Sequence, residues 1–155
     1  MDPSRVESII AEHHSRPGAL LPILHAIQDE LGYIPPESIA SIADGLNISR
    51  AEVYGVITFY ADFRQAPPGR HIVQICRGES CQAMGGEALE LLAKQKLGVD
   101  YHETSRDDAV TLEPVYCLGN CACSPAVRVG DEILGRVDPQ RLEALLRQLR
   151  QEHAR

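Results

Sequence analysis

The 155-residue chain has few positive charges and no long apolar run. Its 15 Lys and Arg residues are outnumbered by 22 Asp and Glu residues, which gives a formal net charge of -7. A nucleic-acid-binding surface needs clustered positive charge, and no Lys/Arg-rich run is present, so the sequence argues against nucleic acid as a partner. The longest apolar stretch, around residues 19–27, is interrupted by Pro22 and His25 and is too short for a membrane span. We therefore expect no direct membrane insertion.

The amino terminus lacks the features of a secretion or transit peptide. Residues 1–7 have neither a basic start followed by an apolar core nor the acidic-poor composition of a transit sequence. Without a secretion signal, the five cysteines favour a reducing compartment, where thiols bind metals rather than form structural disulfides. We expect a cytoplasmic protein.

The sequence also lacks the patterns of an independent enzyme. No catalytic triad or paired-carboxylate pattern is recognisable from spacing. Gly85 and Gly86 do not extend into the fuller glycine pattern of a phosphate-binding loop, so we interpret them as a site of close backbone packing. The chain contains no C-x-x-C, which argues against a thioredoxin-type dithiol. Whether the chain is itself an enzyme stays open.

Four of the five cysteines form two closely spaced pairs. Cys76-x4-Cys81 and Cys117-x3-Cys121 are separated by enough chain for a helix and a strand. Thiolates are the soft anionic ligands of iron-sulfur clusters, and four of them complete a [2Fe-2S] or a [4Fe-4S] site. The spacing therefore indicates an iron-sulfur centre and a role in electron transfer, without fixing the cluster type.

Zinc is the rival occupant, because four-cysteine zinc sites are common in small domains and would make the chain a structural scaffold. The wide spacing of one pair favours iron-sulfur. A Rieske centre needs two His ligands, and only His71 lies near the cysteines in sequence. Cys123, two residues after Cys121, is interpreted as a small buried hydrophobe beside the site. A substitute ligand or a redox-active thiol is the alternative, which nothing in the sequence selects.

Each pair of cysteines follows a predicted strand. Residues 71–75 are rich in β-branched side chains, so we expect Cys76 at a strand end and Cys81 in the turn beyond it. Residues 110–116 predict a second strand that leads into the second pair. Two loops at neighbouring strand ends can meet around one metal centre. Pro114 cannot donate a ladder hydrogen bond, which predicts an edge position or a bulge for the second strand.

The chain divides into two predicted domains, residues 1–66 and residues 67–155. Four helical patterns with short connections predict a small bundle in the first domain. Paired prolines and a glycine at residues 66–69 mark the boundary. The second domain has the order β, α, β, β, β, α, which predicts a mixed sheet covered by helices. The fold class is therefore α+β or α/β, with a helical bundle preceding the mixed sheet.

Local signals predict details of both domains. Residues 49–52 (Ser-Arg-Ala-Glu) form a capping box for the fourth helix. Tyr54, Phe59, Tyr60 and Phe63 recur on that helix and just beyond it, and we expect core contacts from these aromatic residues rather than a partner-binding surface.

In the second domain, one helix is predicted over residues 80–96 and a loop over residues 98–108. Gly-Asp at residues 130–131 is a tight-turn signal for a hairpin. Asp-Pro at residues 138–139 supplies a cap and a first-turn proline for the last helix.

The residues around both cysteine pairs resemble the thioredoxin-like [2Fe-2S] ferredoxin family. Residues 76–86 (CRGESCQAMGG) and residues 113–126 (EPVYCLGNCACSPA) carry the resemblance, and the helical part is also similar to the family, so it covers nearly the whole chain. The family includes subunits of respiratory NADH dehydrogenase, of NAD-reducing hydrogenases and of NAD-dependent formate dehydrogenases. In its short length and in the sequences of residues 82–86 and 121–125, the chain most resembles the formate dehydrogenase gamma subunit.

The resemblance implies a thioredoxin-like domain after a helical bundle. It also implies one [2Fe-2S] cluster with four cysteine ligands, Cys76, Cys81, Cys117 and Cys121. Cys123 is not among the implied ligands. The implied role is a one-electron relay in a multi-subunit NAD-dependent oxidoreductase. A flavin-bearing, NADH-binding subunit is the expected partner, with FMN and NAD on that subunit and not on this chain.

Overall fold

The structure, a computed structural model, describes residues 3–151. The chain divides into two compact units, Met1–Pro67 and Pro68–Arg155. The first unit is helical, and the second combines a mixed sheet with helices. The predicted fold class is therefore confirmed. Throughout residues 3–151, every helix is too short or too polar to traverse a lipid bilayer.

The helices of the first unit pack around one apolar core. Residues 3–67 contain α1 (Pro3–His13), α2 (Leu20–Leu31), α3 (Ser38–Leu46) and α4 (Arg50–Phe59). Ile23, Leu24 and Ile27 are fully buried in the core and lie on one face of α2. Gly32 ends α2 with φ of 82°, a left-handed conformation that costs glycine little.

The predicted capping box is present at the start of α4. The backbone N–H of Glu52 donates to the Ser49 hydroxyl over 3.2 Å. In return, the backbone N–H of Ser49 donates to the Glu52 carboxylate over 2.8 Å. This bond to the charged carboxylate also lowers the pKa of Glu52. The box satisfies two backbone donors that would otherwise lack partners at the helix start.

The aromatic residues of α4 lie largely outside the core. Phe59 is 79% exposed, and Tyr54 and Tyr60 are also exposed, whereas Phe63 is buried. The expectation of core contacts was therefore wrong for three of these four residues. The buried face of α4 is occupied by aliphatic side chains instead, which leaves the larger rings on the outer side of the helix.

The second unit is built on one mixed sheet. Residues 68–151 contain the strands β1 (His71–Cys76), β2 (Glu103–Thr104), β3 (Val110–Val115), β4 (Val127–Val129) and β5 (Glu132–Leu134). They also contain the helices α5 (Glu79–Ala83), α6 (Gly86–Leu97) and α7 (Pro139–Gln151), with a short 3-10 helix at Cys121–Cys123. The strand order is β2-β3-β1-β4-β5. Buried side chains of β1, β3, α6 and α7 share one core.

Strand β1 lies at the centre of the sheet. It pairs in parallel with β3, where Cys76 lies opposite Val115, and antiparallel with β4, where Ile75 lies opposite Val127. Because the carboxyl ends of parallel strands meet at the same edge of a sheet, the chain segments that follow β1 and β3 emerge side by side. These segments carry the two cysteine pairs.

The predicted helix over residues 80–96 is divided into α5 and α6. Gly85 has φ of +96°, which takes the backbone out of the helical region between them. The predicted loop over residues 98–108 contains the short strand β2, which adds to the edge of the sheet next to β3. The two-residue β2 has no sequence signal strong enough to find, whereas the break between α5 and α6 was signalled by the Gly85-Gly86 pair that the predicted helix ran through.

Pro114 is not on an edge strand, because β3 lies between β1 and β2. Strand β2 pairs only with Thr111 and Leu112 of β3. The Arg77 N–H donates to the Val115 carbonyl over 2.7 Å, so Val115 faces β1 and the preceding Pro114 faces the opposite side, beyond the end of β2. The missing proline N–H therefore leaves the ladder intact.

The last part of the sequence folds as predicted. Gly130, with φ of 56°, forms the turn between β4 and β5. The backbone N–H of Arg141 donates to the Asp138 carboxylate over 2.7 Å, which caps α7. Leu142, Leu146 and Leu149 on one face of α7 are buried against the sheet core.

Candidate metal centre

The first cysteine pair lies at the buried end of the site. Cys76 is the last residue of β1, and its backbone N–H donates to the Ala126 carbonyl over 3.1 Å. Cys81 lies on α5 rather than in an open turn, which corrects the sequence-based expectation. Each of the two residues is only 3% exposed. Together with Ala126 they form a small apolar cluster of their own.

The second pair lies on the chain that follows β3. Cys117 comes two residues after the end of the strand, and Cys121 begins the short 3-10 helix. Both residues are exposed. All five cysteines of the chain are free thiols. The site is therefore asymmetric, with one pair of thiols covered by protein and the other open to the surface.

Both pairs line a single pocket of about 370 Å³ at the carboxyl edge of the sheet. All four predicted ligands contribute to its wall, whereas Cys123 does not. The lining residues are Cys76, Gly78, Glu79, Ser80, Cys81, Tyr116, Cys117, Leu118, Asn120, Cys121 and Ala126. The structure thus brings together the four cysteines that spacing alone selected.

The thiols within each pair lie close enough to affect each other's ionisation. Burial raises the pKa of the Cys76 thiol, and a hydrogen bond with Cys81 raises it further. The hydrogen bond with Cys117, followed by the charge of that thiol, raises the pKa of Cys121. Two adjacent thiols resist losing both protons unless positive charge compensates them. Bound iron or another metal ion supplies that charge.

Backbone amides point at the sulfur atoms. The N–H of Gly119 donates to Cys117 Sγ over 3.3 Å. Hydrogen bonds from the backbone of Gly78 and of Leu118 oppose the upward shift in the pKa of Cys76. N–H donors of this kind stabilise negative charge on ligand sulfurs and adjust the potential of an iron-sulfur centre.

Two serines that the sequence analysis did not single out join the cysteine loops. The hydroxyl oxygens of Ser80 and Ser124 lie 2.8 Å apart, and Ser124 Oγ also donates to the Cys121 carbonyl over 2.8 Å. Cys81 Sγ lies 3.6 Å from Ser124 Oγ. Nothing in the spacing predicts this link, since serine beside cysteine has no signature of its own.

The glycine next to the first pair allows close packing, as expected. A Cβ atom on Gly86 would lie 2.8 Å from the Cys81 carbonyl oxygen and 3.4 Å from the Cys76 carbonyl oxygen. The 2.8 Å distance is too short for an ordinary contact between a side chain and the backbone, whereas 3.4 Å is van der Waals contact. Gly86 therefore lets the start of α6 approach the backbone of both cysteines.

Cys123 lies apart from the pocket. It is partly exposed, and its carbonyl oxygen accepts a hydrogen bond from the Arg136 N–H over 2.6 Å. A Cβ on Gly135 would lie 2.6 Å from the Cys123 Cβ, so the hairpin packs closely on this residue. These contacts give Cys123 a packing position.

The donor set fits an iron-sulfur cluster. Within residues 3–151, no three His, Cys, Asp or Glu side chains gather closely enough to hold a single metal ion. The four cysteines stand as two pairs around one pocket. The pocket thus carries the four thiols that a cysteine-ligated iron-sulfur cluster requires as thiolate ligands.

Comparison with known proteins identifies the family. The family described as thioredoxin-like [2Fe-2S] ferredoxin matches residues 6–150, and the chain belongs to it. One relative, a component of the NADH-quinone oxidoreductase of Rhizobium meliloti (strain 1021), is 38% identical over 145 residues, which are 94% of this chain and 86% of the relative. The cofactor of this chain is accordingly one [2Fe-2S] cluster, and its role is electron transfer.

A second relative comes from a different enzyme. The HndA component of the NADP-reducing hydrogenase of Solidesulfovibrio fructosivorans is 32% identical over 129 residues, covering 83% of this chain and 75% of the relative. Other relatives are longer, and the chain spans 57% of the corresponding components of the mycobacterial NADH-quinone oxidoreductases.

A solved structure shares the fold. A chain of the NAD+-reducing [NiFe]-hydrogenase in the air-oxidised state aligns with a TM-score of 0.69 and 19% identity. The alignment covers 83% of this chain and 23% of the hydrogenase chain. At this level of identity the likeness establishes a common fold.

Proposed function

We propose that the chain is the one-electron-transfer subunit of a multi-subunit NAD-linked oxidoreductase. Its proposed cluster ligands are Cys76, Cys81, Cys117 and Cys121. The observation that carries this proposal is the single pocket that all four thiols line, where two parallel strands end side by side. FMN and NAD are placed on a partner subunit that exchanges electrons with this one.

The asymmetry of the site supports a partner on one side. Cys76 and Cys81 lie inside the protein, whereas Cys117 and Cys121 are exposed. Tyr116, directly before Cys117, is 67% exposed, which is unusual for a large aromatic side chain. We place the flavin-bearing subunit against this exposed side, because docking there shortens the electron-transfer path.

Each group of residues has a separate task in this proposal. When bound, the cluster accepts one electron and passes it on. The cysteines hold the cluster, and the N–H groups of Gly78, Leu118 and Gly119 stabilise charge on the sulfurs. We assign no catalytic role to any residue in the part of the chain that the structure describes. In this proposal the domain comprising residues 67–155 holds the cluster, and the preceding domain comprises residues 1–66.

Among such complexes, we propose an NAD-dependent formate dehydrogenase, with this chain as its gamma subunit. The sequences of residues 82–86 and 121–125 favour this assignment. The corresponding subunit of an NADH dehydrogenase or of a NAD-reducing hydrogenase is the alternative, favoured by the names of the Rhizobium and Solidesulfovibrio relatives. We place the complex in the cytoplasm, where the five thiols remain reduced.

Purification of the native complex through a tag on this chain tests the proposal. We expect a flavin-containing chain to co-purify, and NADH to reduce the [2Fe-2S] centre as monitored by electron paramagnetic resonance. Formate should reduce the same centre in a formate dehydrogenase, whereas hydrogen gas should do so in a hydrogenase. A chain that purifies without a flavin partner would contradict the subunit role and indicate a free-standing ferredoxin. If NADH reduces the centre but formate does not, the formate dehydrogenase assignment would be contradicted.

A further inference from the structure

Arg77 connects the two segments that carry the cysteine pairs. It directly follows Cys76, and its backbone N–H donates to the Val115 carbonyl over 2.7 Å. Its guanidinium carbon lies 6.0 Å from the ring centroid of Tyr116, the residue directly before Cys117. A cation at this distance over an aromatic face is attracted to it. One arginine therefore contacts the chain on both sides of the pocket.

The guanidinium group is held in place by an ion pair with α6. Arg77 Nε lies 3.1 Å from Glu90 Oε2, and the side chain of Glu90 is only 12% exposed. The guanidinium carbon also lies 5.7 Å from the Tyr101 ring centroid. Lys94 forms a second ion pair with Glu90 over 2.8 Å. Because the acceptor carboxylate is mostly buried and the two rings flank the cation, the positive charge of Arg77 has a defined place against Tyr116, a residue that lines the pocket.

We propose that Arg77 raises the reduction potential of the [2Fe-2S] cluster, and that Glu90 partly offsets this effect. The inference rests on the proposed cluster site. Reduction adds one negative charge to the cluster, and a fixed positive charge nearby stabilises that added charge. Arginine stays protonated at every working pH, so its contribution is constant. Arg77 is therefore a tuning residue that acts through its charge and not as a ligand.

A redox titration of the purified full-length chain, monitored by electron paramagnetic resonance, tests this inference. Four variants are compared: Arg77→Gln, Arg77→Lys, Glu90→Gln and, as the control, Arg147→Gln. Arg147 on α7 also pairs with a glutamate, over 3.5 Å, but lines a different cavity. Iron and sulfide per chain are measured for each variant before titration.

We expect a lower midpoint potential in Arg77→Gln, a near wild-type value in Arg77→Lys, and a higher value in Glu90→Gln. Arg147→Gln should titrate as the wild type does. An unchanged midpoint in Arg77→Gln, or a shift in Arg77→Lys as large as that in Arg77→Gln, would overturn the charge effect. If Arg77→Gln assembles no cluster, Glu90→Gln decides, because it is isosteric and lies outside the cysteine loops.

The same experiment separates this inference from the function it rests on. A wild-type chain without iron and sulfide would overturn the cluster site itself. If the wild-type chain holds a full cluster but substitution of Arg77 or Glu90 leaves the midpoint potential unchanged, the tuning role alone would be overturned. Raising the salt concentration should reduce the difference between the wild type and Arg77→Gln, because the Arg77 side chain is 39% exposed and its charge is screened. A purely structural effect of the arginine would not depend on salt in this way.

Discussion

The hydroxyl groups of Ser80 and Ser124 lie 2.8 Å apart and join the first cysteine segment to the chain that follows the second pair. Ser124 donates its hydroxyl proton to the Cys121 carbonyl over 2.8 Å, which leaves Ser80 to donate to Ser124 Oγ, and the Ser80 oxygen also lies 3.2 Å from the Cys121 carbonyl oxygen. This small hydrogen-bonded group holds the backbone around Cys121 against α5. The exposed half of the site is thereby attached to its buried half.

Replacing Ser124 by alanine should loosen this attachment. Loss of a hydrogen bond of this kind costs about 1 kcal/mol, so we expect a lower urea midpoint and faster loss of cluster absorbance on warming. Ser41→Ala is the matched control, since Ser41 is an exposed serine on α3 of the other unit. Equal behaviour of the two variants would show that the serine link does not support the site.

Adding a methyl group at Gly86 should disturb the backbone of the buried Cys81. The new Cβ would lie 2.8 Å from the Cys81 carbonyl oxygen, and overpacking of this kind typically costs about 1–3 kcal/mol. Gly55→Ala on α4 is the control, because its Cβ would meet nothing within 4 Å and alanine favours a helix interior. Stability to urea and iron content should fall in Gly86→Ala and be retained in Gly55→Ala. Equal stability of the two variants would contradict the close packing.

The loop before β3 should stabilise the second unit in a pH-dependent way. The Ser105 hydroxyl donates to Asp107 over 2.6 Å, and Arg150 of α7 pairs with the same carboxylate over 2.7 Å. The hydrogen bond from Ser105, followed by that from Arg150, holds the pKa of Asp107 below its ordinary value. A depressed carboxyl pKa contributes stability above the unfolded-state pKa, and this contribution is lost as pH falls toward the folded-state pKa.

Asp107→Asn should therefore lower the free energy of unfolding at pH 7 by up to about 1 kcal/mol, as expected for a partly exposed pair. The difference from the wild type should shrink below about pH 4, where the unfolded carboxylate takes up a proton. Urea unfolding of both proteins across this pH range measures the difference. A constant difference down to low pH would contradict an effect of carboxylate charge.

Serine at a proposed ligand position should disturb or abolish the cluster. Cys117→Ser replaces a thiolate by a poorer, harder donor, so we expect loss of iron and sulfide or an altered spectrum. Cys123→Ser is the matched control and should retain a wild-type cluster, because Cys123 does not line the pocket. An unchanged spectrum in Cys117→Ser would contradict its assignment as a ligand.

The sequence predicted the features that depend on local signals. The capping box at Ser49 and Glu52, the turn at Gly130 and the cap at Asp138 each rest on residues near one another in the chain, and the structure contains all three. The positions of Cys76 and Cys117 after two strands followed from β-branched runs. Parallel pairing of those strands then brings the cysteine pairs to one pocket.

The features that sequence analysis missed depend on contacts between distant residues. The close packing of Gly86 on the Cys81 backbone, next to the break in the helix at Gly85, is not revealed by any helical period. Pro114 suggested an edge strand, but β3 is an inner strand. Because β2 is only two residues long, it ends before Pro114, and no strand within residues 3–151 pairs with the proline on that side. The exposure of Phe59 depends on which face of α4 the other helices cover. Composition and spacing carry none of this information.

The central claim is that two cysteine pairs hold one [2Fe-2S] cluster, and metal analysis of the anaerobically purified chain tests it most directly. Iron, acid-labile sulfide and zinc are measured per chain, and an electron paramagnetic resonance spectrum is recorded after reduction with dithionite. The account predicts about two irons and two sulfides per chain, with an S = 1/2 signal in the reduced protein. Stoichiometric zinc without sulfide would contradict it and indicate a structural scaffold instead.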